Sequence, residues 1–266
     1  MISVKEFFSL KANPFSKDIP ADKIYRYPQL EQLFANLAAT IEDSSMALIT
    51  GRAGTGKTTA VRAYLELLPS ARHKVIYLGQ DQRGNGLMNR LSSALGLRTN
   101  CMPGKRLLQI TNRLETESMQ RRLVLVVDEA HVLDQPVLED IRFLTNQEMD
   151  RRSPVTVLML GQHWLRNILK KQGYEALYQR LRLRFSLEGL TEEETAEYIK
   201  YHLSLVGCQK TLFEPKAVAQ IFSASDGILR EINNLAFECL MKAAFQGRRT
   251  VDERLVARVV NERELS

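Results

Sequence analysis

Residues 45–58 read Ser45-Met46-Ala47-Leu48-Ile49-Thr50-Gly51-Arg52-Ala53-Gly54-Thr55-Gly56-Lys57-Thr58, an apolar run that enters a complete G-x-x-x-x-G-K-T loop. Gly51, Gly54 and Gly56 permit a tight turn that aims backbone N–H groups at phosphate oxygens. Lys57 reaches the β and γ oxygens, and Thr58 supplies a hydroxyl to Mg2+. Thr59 to Leu68 follows with helical periodicity and stops at Pro69, so strand, loop and helix come in the order phosphate binding requires. The implied ligand is a nucleoside triphosphate held by Gly51, Arg52, Ala53, Gly54, Thr55, Gly56, Lys57, Thr58 and Thr59. No N-K-x-D guanine-reading motif is present, which favours ATP.

Outward from this loop, strands alternate with helices. A helical pattern from Gln29 to Glu42 precedes the first strand, and His73 to Gly79 reads as a second. Leu123-Val124-Leu125-Val126-Val127 and Val155 to Leu160 are continuous apolar runs, the pattern of central parallel strands covered on both faces. Helical patterns lie on both sides of Pro103-Gly104, from Pro136 to Met149, and from Trp164 to Tyr178, before a short strand near Arg184 to Leu187. This alternation predicts a three-layer α/β domain with a mainly parallel sheet. After Gly189-Leu190 the character changes. Thr191-Glu192-Glu193-Glu194 forms a capping box opening a helix to Val206, and Pro215–Ser223, Ile228–Phe245 and Asp252–Asn261 add three helical patterns. The expected organisation is a 1–44 N-terminal segment and helix packed on the core, a 45–188 α/β domain, and a 189–266 helical domain.

The apolar run 123–127 passes directly into Asp128-Glu129. Two carboxylates at the end of a buried strand are costly unless something binds them. Beside a phosphate loop, Asp128 is assigned to Mg2+ and Glu129 to the attacking water. His131, completing Asp128-Glu129-Ala130-His131, reads as a local helix-start residue. Gln162, at the end of the 155–160 strand, is the candidate for sensing the γ-phosphate and orienting water. Phosphoryl transfer also needs cationic charge. Arg180, at a helix end, is the candidate finger toward a neighbouring subunit, with Arg182 and Arg184 as structural or interface charges. Arg230 sits in the first turn of a helix that Asp226 would cap; its position opposes the helix dipole, so an anionic partner such as a γ-phosphate is expected.

Composition narrows the class further. The chain has 266 residues, 44% of them hydrophobic, and no apolar run able to span a bilayer. Residues 1–8 lack the pattern of a signal peptide, so the expected location is cytoplasmic and no membrane partner is expected. Cys101, Cys208 and Cys239 are scattered and odd in number, and His73, His131, His163 and His202 are dispersed, which argues against a disulfide framework and a zinc site. The net charge of +6 is concentrated between Arg142 and Arg184, where nine basic residues face three acidic ones. Such a cluster attracts nucleic acid or binds phosphates across a subunit interface.

The loop 51–58, Asp128-Glu129, Gln162, Arg180 and Gly227-x-x-Arg230 followed by four helices resemble an AAA+ ATPase, and the resemblance covers almost the whole chain. Phe7-Phe8 with Asn13-Pro14-Phe15, Tyr25-Arg26-Tyr27 and Asp128-Glu129-Ala130-His131 resemble the ExeA-like group, whose relatives include transposition regulators of the MuB and TnsC type. ExeA-type secretion ATPases carry a transmembrane segment and a peptidoglycan-binding region after the ATPase part. This chain ends at Ser266 with neither, so a helper ATPase of transposition is expected, with an envelope-assembly ATPase acting without nucleic acid as the alternative. The resemblance implies ATP-bound subunits assembling into a ring or helical filament on double-stranded DNA, a transposase partner, and disassembly on hydrolysis. It also implies that Tyr25 to Leu30 packs near the base. Lys105 and Arg106, with Arg83 behind them, are the implied contacts to DNA phosphates, which would be sequence-tolerant and salt-dependent.

Overall fold

A computed structural model describes residues 3–16, 19–79, 86–98, 102–145 and 153–264. They form two compact units, one of residues 28–52 and 57–187, the other of 1–27, 53–56 and 188–266. In chain order the helices are α1 (Val4–Phe7), α2 (Pro28–Glu42), α3 (Lys57–Glu66), α4 (Gly86–Ala94), α5 (Pro103–Ser118), α6 (Gln135–Leu144), α7 (His163–Leu169), α8 (Glu175–Arg180), α9 (Glu192–Leu205), α10 (Pro215–Ser225), α11 (Leu229–Phe245) and α12 (Glu253–Glu264).

The larger unit is a five-stranded sheet of β1 (Met46–Thr50), β2 (His73–Leu78), β3 (Arg122–Val127), β4 (Val155–Gly161) and β5 (Leu181–Ser186). The spatial order is β2-β3-β4-β1-β5, and every pair is parallel. β1 and β4 are buried throughout and β3 from Leu123 onward, which is why they read as unbroken apolar runs. The edge strands carry the exposed residues, including Val75 and Tyr77 on β2. On one side of the sheet Leu87, Leu91, Ile110, Leu114 and Ile141 pack with Leu125 and Val157 as one core. The register aligns Leu78 with Val127, and Thr50 with both Gly161 and Ser186. The segments leaving β1, β3 and β4 therefore emerge together at the carboxyl edge, where ligands bind in open α/β sheets.

Helices flank Pro103-Gly104 as expected, α4 before the pair and α5 opening on Pro103 itself. Two local expectations shift. The 164–178 pattern is two helices, α7 and α8, separated by a turn with Gly173 at φ +97. α6 ends at Leu144, and the remainder of the expected 136–149 helix lies outside the described residues from 146 onward.

The second unit is helical. The capping box read at Thr191 is present: Glu194 N donates to Thr191 Oγ1 at 3.2 Å and Thr191 N to Glu194 Oε2 at 2.9 Å. α10, α11 and α12 pack on one another and α9 on α10, and a β-bridge joins Phe213 and Val251. The N-terminal stretch belongs here, which corrects the expected 1–44 segment: the division falls between Tyr27 and Pro28. The cause is aromatic. Tyr25 stacks on Tyr27 and meets Tyr198 and Tyr201 at 5.6 Å, Phe15 stacks on His202 at 5.6 Å, and Lys11 N donates to Val206 O at 2.9 Å. His202 is buried, and burial pulls its imidazole down to about 4. Asp226 is a second correction. It ends α10 in a left-handed conformation, φ 51, while Ile228 precedes α11 without a side-chain cap. Among the described residues no helix is long and apolar enough to cross a membrane.

Candidate functional site

The phosphate loop owes its shape to two glycines. Gly54 and Gly56 both adopt φ +88, a conformation that costs any residue with a Cβ. Close packing reinforces the requirement: a Cβ at Gly54 would lie 2.9 Å from Arg230 Cβ, and one at Gly56 2.8 Å from Leu229 Cδ1. Lys57 opens α3 and is buried, donating to the carbonyls of Gly51 at 3.0 Å and Arg52 at 2.9 Å. Thr55 is buried, Thr59 half-buried, and Arg52 and Ala53 exposed.

Asp128 follows β3 and is only 5% exposed. Its carboxylate accepts from Thr58 Oγ1 at 2.8 Å and Tyr77 Oη at 2.9 Å on Oδ2, and from the Glu129 amide at 2.8 Å on Oδ1. Sequence reasoning paired Thr58 with Asp128 and missed Tyr77. Burial first, then the bond to Asp128, pushes the Tyr77 phenol up to about 12, so it remains a donor at neutral pH. Tyr77 also lines, with Thr58, Val61 and Leu65, an apolar cleft of about 510 Å³.

Glu129 holds a left-handed backbone, φ 53 and ψ 34, at the entrance of a short 3-10 turn, Ala130–Val132. Such strain in a residue with a side chain persists where surrounding structure imposes it. Its Oε2 lies 3.4 Å from His131 Nε2. Gln162 leaves β4, the strand between β1 and β3; its Nε2 is 3.4 Å from the same His131 nitrogen, and its Oε1 is 3.4 Å from Trp164 Nε1. His131 thus sits in a helical turn as expected, but its ring also joins Glu129 to Gln162, and Trp164 packs edge-on against it at 4.9 Å.

Arg180 ends α8 at the other edge of the sheet. The next residue, Leu181, pairs with Met46 at the start of β1, so the loop after Thr50 and Arg180 are separated by roughly the length of the strand, ~15 Å. Arg180 shares a cavity of about 600 Å³ with Asp43, Ser45, Met46, Arg142 and Thr145. Arg182 pairs with Asp43, and the Arg184 guanidinium lies 4.6 Å from the centre of the Tyr178 ring. Arg230, by contrast, meets the loop tip: its backbone N–H donates to Gly54 O at 3.1 Å.

The DNA candidates divide. Lys105 is exposed in the first turn of α5. Arg106 is not available to a DNA phosphate: it is 8% exposed and shares the buried face of α5 with Ile110 and Leu114, one and two turns along. Arg83, like Arg151 and Arg152 of the basic cluster, lies outside the described residues. Arg142 pairs with Glu139 at 2.7 Å.

The loop and its neighbours fit Mg2+ and a triphosphate. A hydroxyl and a carboxylate oriented on each other, Thr58 and Asp128, are the oxygen donors Mg2+ takes alongside phosphate and water. Lys57 would supply the cation for the phosphates.

Comparison with known proteins agrees. Residues 40–169 match the family described as AAA domain. General secretion pathway protein A of Aeromonas hydrophila is 30% identical over 246 residues, covering 91% of this chain and 45% of that protein; the chain thus spans less than half the length of this relative. Among solved structures, Cdc6p of Pyrobaculum aerophilum superposes with a TM-score of 0.70 at 17% identity, covering 89% of this chain and 67% of that one. The Aeropyrum pernix ORC1 protein, solved in complex with DNA, gives 0.66 at 17% identity, covering 98% and 71%. At such identities these two likenesses speak to the fold, which they share with this chain. Fold, phosphate loop and family match converge on an ATPase, with residues 40–169 matching the AAA domain family.

Proposed function

We propose that this ATPase assembles, with ATP bound, side by side on double-stranded DNA, each nucleotide lying at a subunit junction, and regulates transposition by selecting the target and recruiting a transposase. The observation that carries the assembly is the separation of Arg180 from its own phosphate loop by the length of β1: an arginine there serves a neighbour's nucleotide or none. The DNA-bound ORC1 relative of the same fold, Lys105 and the basic 142–184 segment support duplex DNA as the surface on which subunits gather.

In this reading Lys57 and the loop amides bind the triphosphate. Thr58 and Asp128 would hold Mg2+, which would supply positive charge beside the phosphate oxygens. Tyr77 fixes the Asp128 carboxylate. Glu129 takes the proton of the attacking water while Gln162 orients it, and Arg230 contacts the γ-phosphate. The partner's copy of the finger arginine stabilises charge building on the transferred group. Hydrolysis removes the γ-phosphate from the junction and releases the subunits.

Gel filtration and electron microscopy with a non-hydrolysable ATP analogue and duplex DNA test this directly: oligomers that need both support it, and monomers alone defeat it. Retention of a transposase by the assembled protein would support the finer role. A second reading, an envelope-assembly ATPase acting on a secretion partner, is favoured by the 30% identity to General secretion pathway protein A. Absence of DNA binding at low salt, together with stimulation by a membrane-protein partner, would select it.

A further inference from the structure

His131 carries a feature that packing does not explain. Its side chain is 7% exposed, and Nδ1 is buried without a hydrogen-bond partner among the described residues. Nε2 lies 3.4 Å from Glu129 Oε2 and 3.4 Å from Gln162 Nε2. The Gln162 amide is oriented from its far side: the Trp164 indole can only donate, and it faces Gln162 Oε1 at 3.4 Å. Gln162 therefore turns its NH2 toward His131.

One ring nitrogen thus faces an acceptor, the Glu129 carboxylate, and a donor, the Gln162 amide. It cannot donate to the first and accept from the second together. A proton on Nδ1 would bury an unpaired donor, an arrangement native proteins avoid. The proton therefore belongs on Nε2, donating to Glu129 Oε2, and the Gln162 NH2 is left to seek an acceptor elsewhere.

We infer that His131 is a positioning residue for ATP hydrolysis: its Nε2–H holds one carboxylate oxygen of Glu129, leaving the other to take the proton from water, and it offers the Gln162 NH2 no acceptor, which leaves that group available to the nucleotide. The inference rests on the proposed roles of Glu129 and Gln162. Trp164 contributes by fixing which way that amide faces.

The test uses the full chain and steady-state ATP hydrolysis. His131→Phe keeps an aromatic ring against Trp164 and removes both nitrogens; kcat is expected to fall about tenfold, the equivalent of one hydrogen bond to a charged group, with KM for ATP and the thermal midpoint nearly unchanged. His131→Gln restores a donor for Glu129 and should recover most of the lost kcat. In a Glu129→Gln background, His131→Phe should cost nothing further. A His131→Phe enzyme with wild-type kcat overturns the inference, as does an equal loss in both backgrounds or failure of His131→Gln to restore turnover. Should Glu129→Gln alone retain full turnover, the role of Glu129 falls and this inference with it; if Glu129→Gln is inactive while His131→Phe is not, the inference alone falls. If His131→Phe does not fold, the kcat-against-KM split of His131→Gln decides: turnover below a few per cent at unchanged KM and thermal midpoint counts against it.

Discussion

Tyr77→Phe tests whether a residue outside every motif helps to hold the Mg2+ ligand. The substitution keeps the ring and removes one O–H donor, 2.9 Å from Asp128 Oδ2. Hydrogen bonds to charged groups are worth ~1.5–3 kcal/mol. Tyr77 is 56% exposed, so water replaces part of what is lost, and about 1 kcal/mol is expected. That corresponds to about a fivefold rise in the Kd for Mg·ATP. Isothermal titration with ATP in Mg2+ reads it, and the same titration in EDTA is the control, because the hydroxyl acts through Asp128 and not through the loop amides. Thr58 and the Glu129 amide still donate to the carboxylate, so kcat at saturating Mg·ATP should change little. An unchanged Kd with Mg2+, or an equal loss with and without it, would refute the reasoning.

Glu129→Gln should lower kcat by about 10²–10⁴ while ATP binding survives, seen by comparing phosphate release with nucleotide titration. Lys105→Met should reduce the dependence of duplex affinity on salt by about one phosphate contact, whereas Arg106→Met, acting on a buried residue, should leave that slope alone and lower the melting temperature. His202 predicts a pH effect. Its folded value of about 4 lies below the ordinary 6.5, so its contribution is intact above pH 6.5 and is lost as pH falls toward 4. His202→Phe should therefore lose less stability over that window, by up to about 3 kcal/mol, in melts at pH 7 and pH 4.5.

The parts legible in the sequence are those whose signal is local. The loop 51–58 and Asp128-Glu129 are contiguous motifs at the ends of apolar runs, and burial of β1, β3 and β4 on both faces makes those runs unmistakable. Tyr77 depends on register: it stands opposite Val126, a pairing that no local pattern states. The His131 bridge is equally hidden, because it needs the left-handed turn at Glu129 and the arrival of Gln162 from 31 residues along the chain. Arg106 followed Pro103-Gly104 and so resembled loop charge, yet that proline starts a helix whose i, i+4 spacing turns the arginine inward. Tyr198 and Tyr201, which Tyr25 meets, are on α9, more than 170 residues away, and no local pattern in the N-terminal segment announces them.

The central claim is a nucleotide site shared between subunits, and mixing two inactive variants tests it most directly. Lys57→Ala should fail to bind nucleotide, and Arg180→Ala should bind it without hydrolysing it. Combined on duplex DNA in equal amounts, head-to-tail assembly brings an intact loop from one subunit against an intact arginine from the next at about a quarter of junctions. The account predicts that DNA-stimulated ATP hydrolysis reappears in the mixture. Two variants that stay inactive together, or an Arg180→Ala protein that hydrolyses ATP at the wild-type rate on its own, would contradict it.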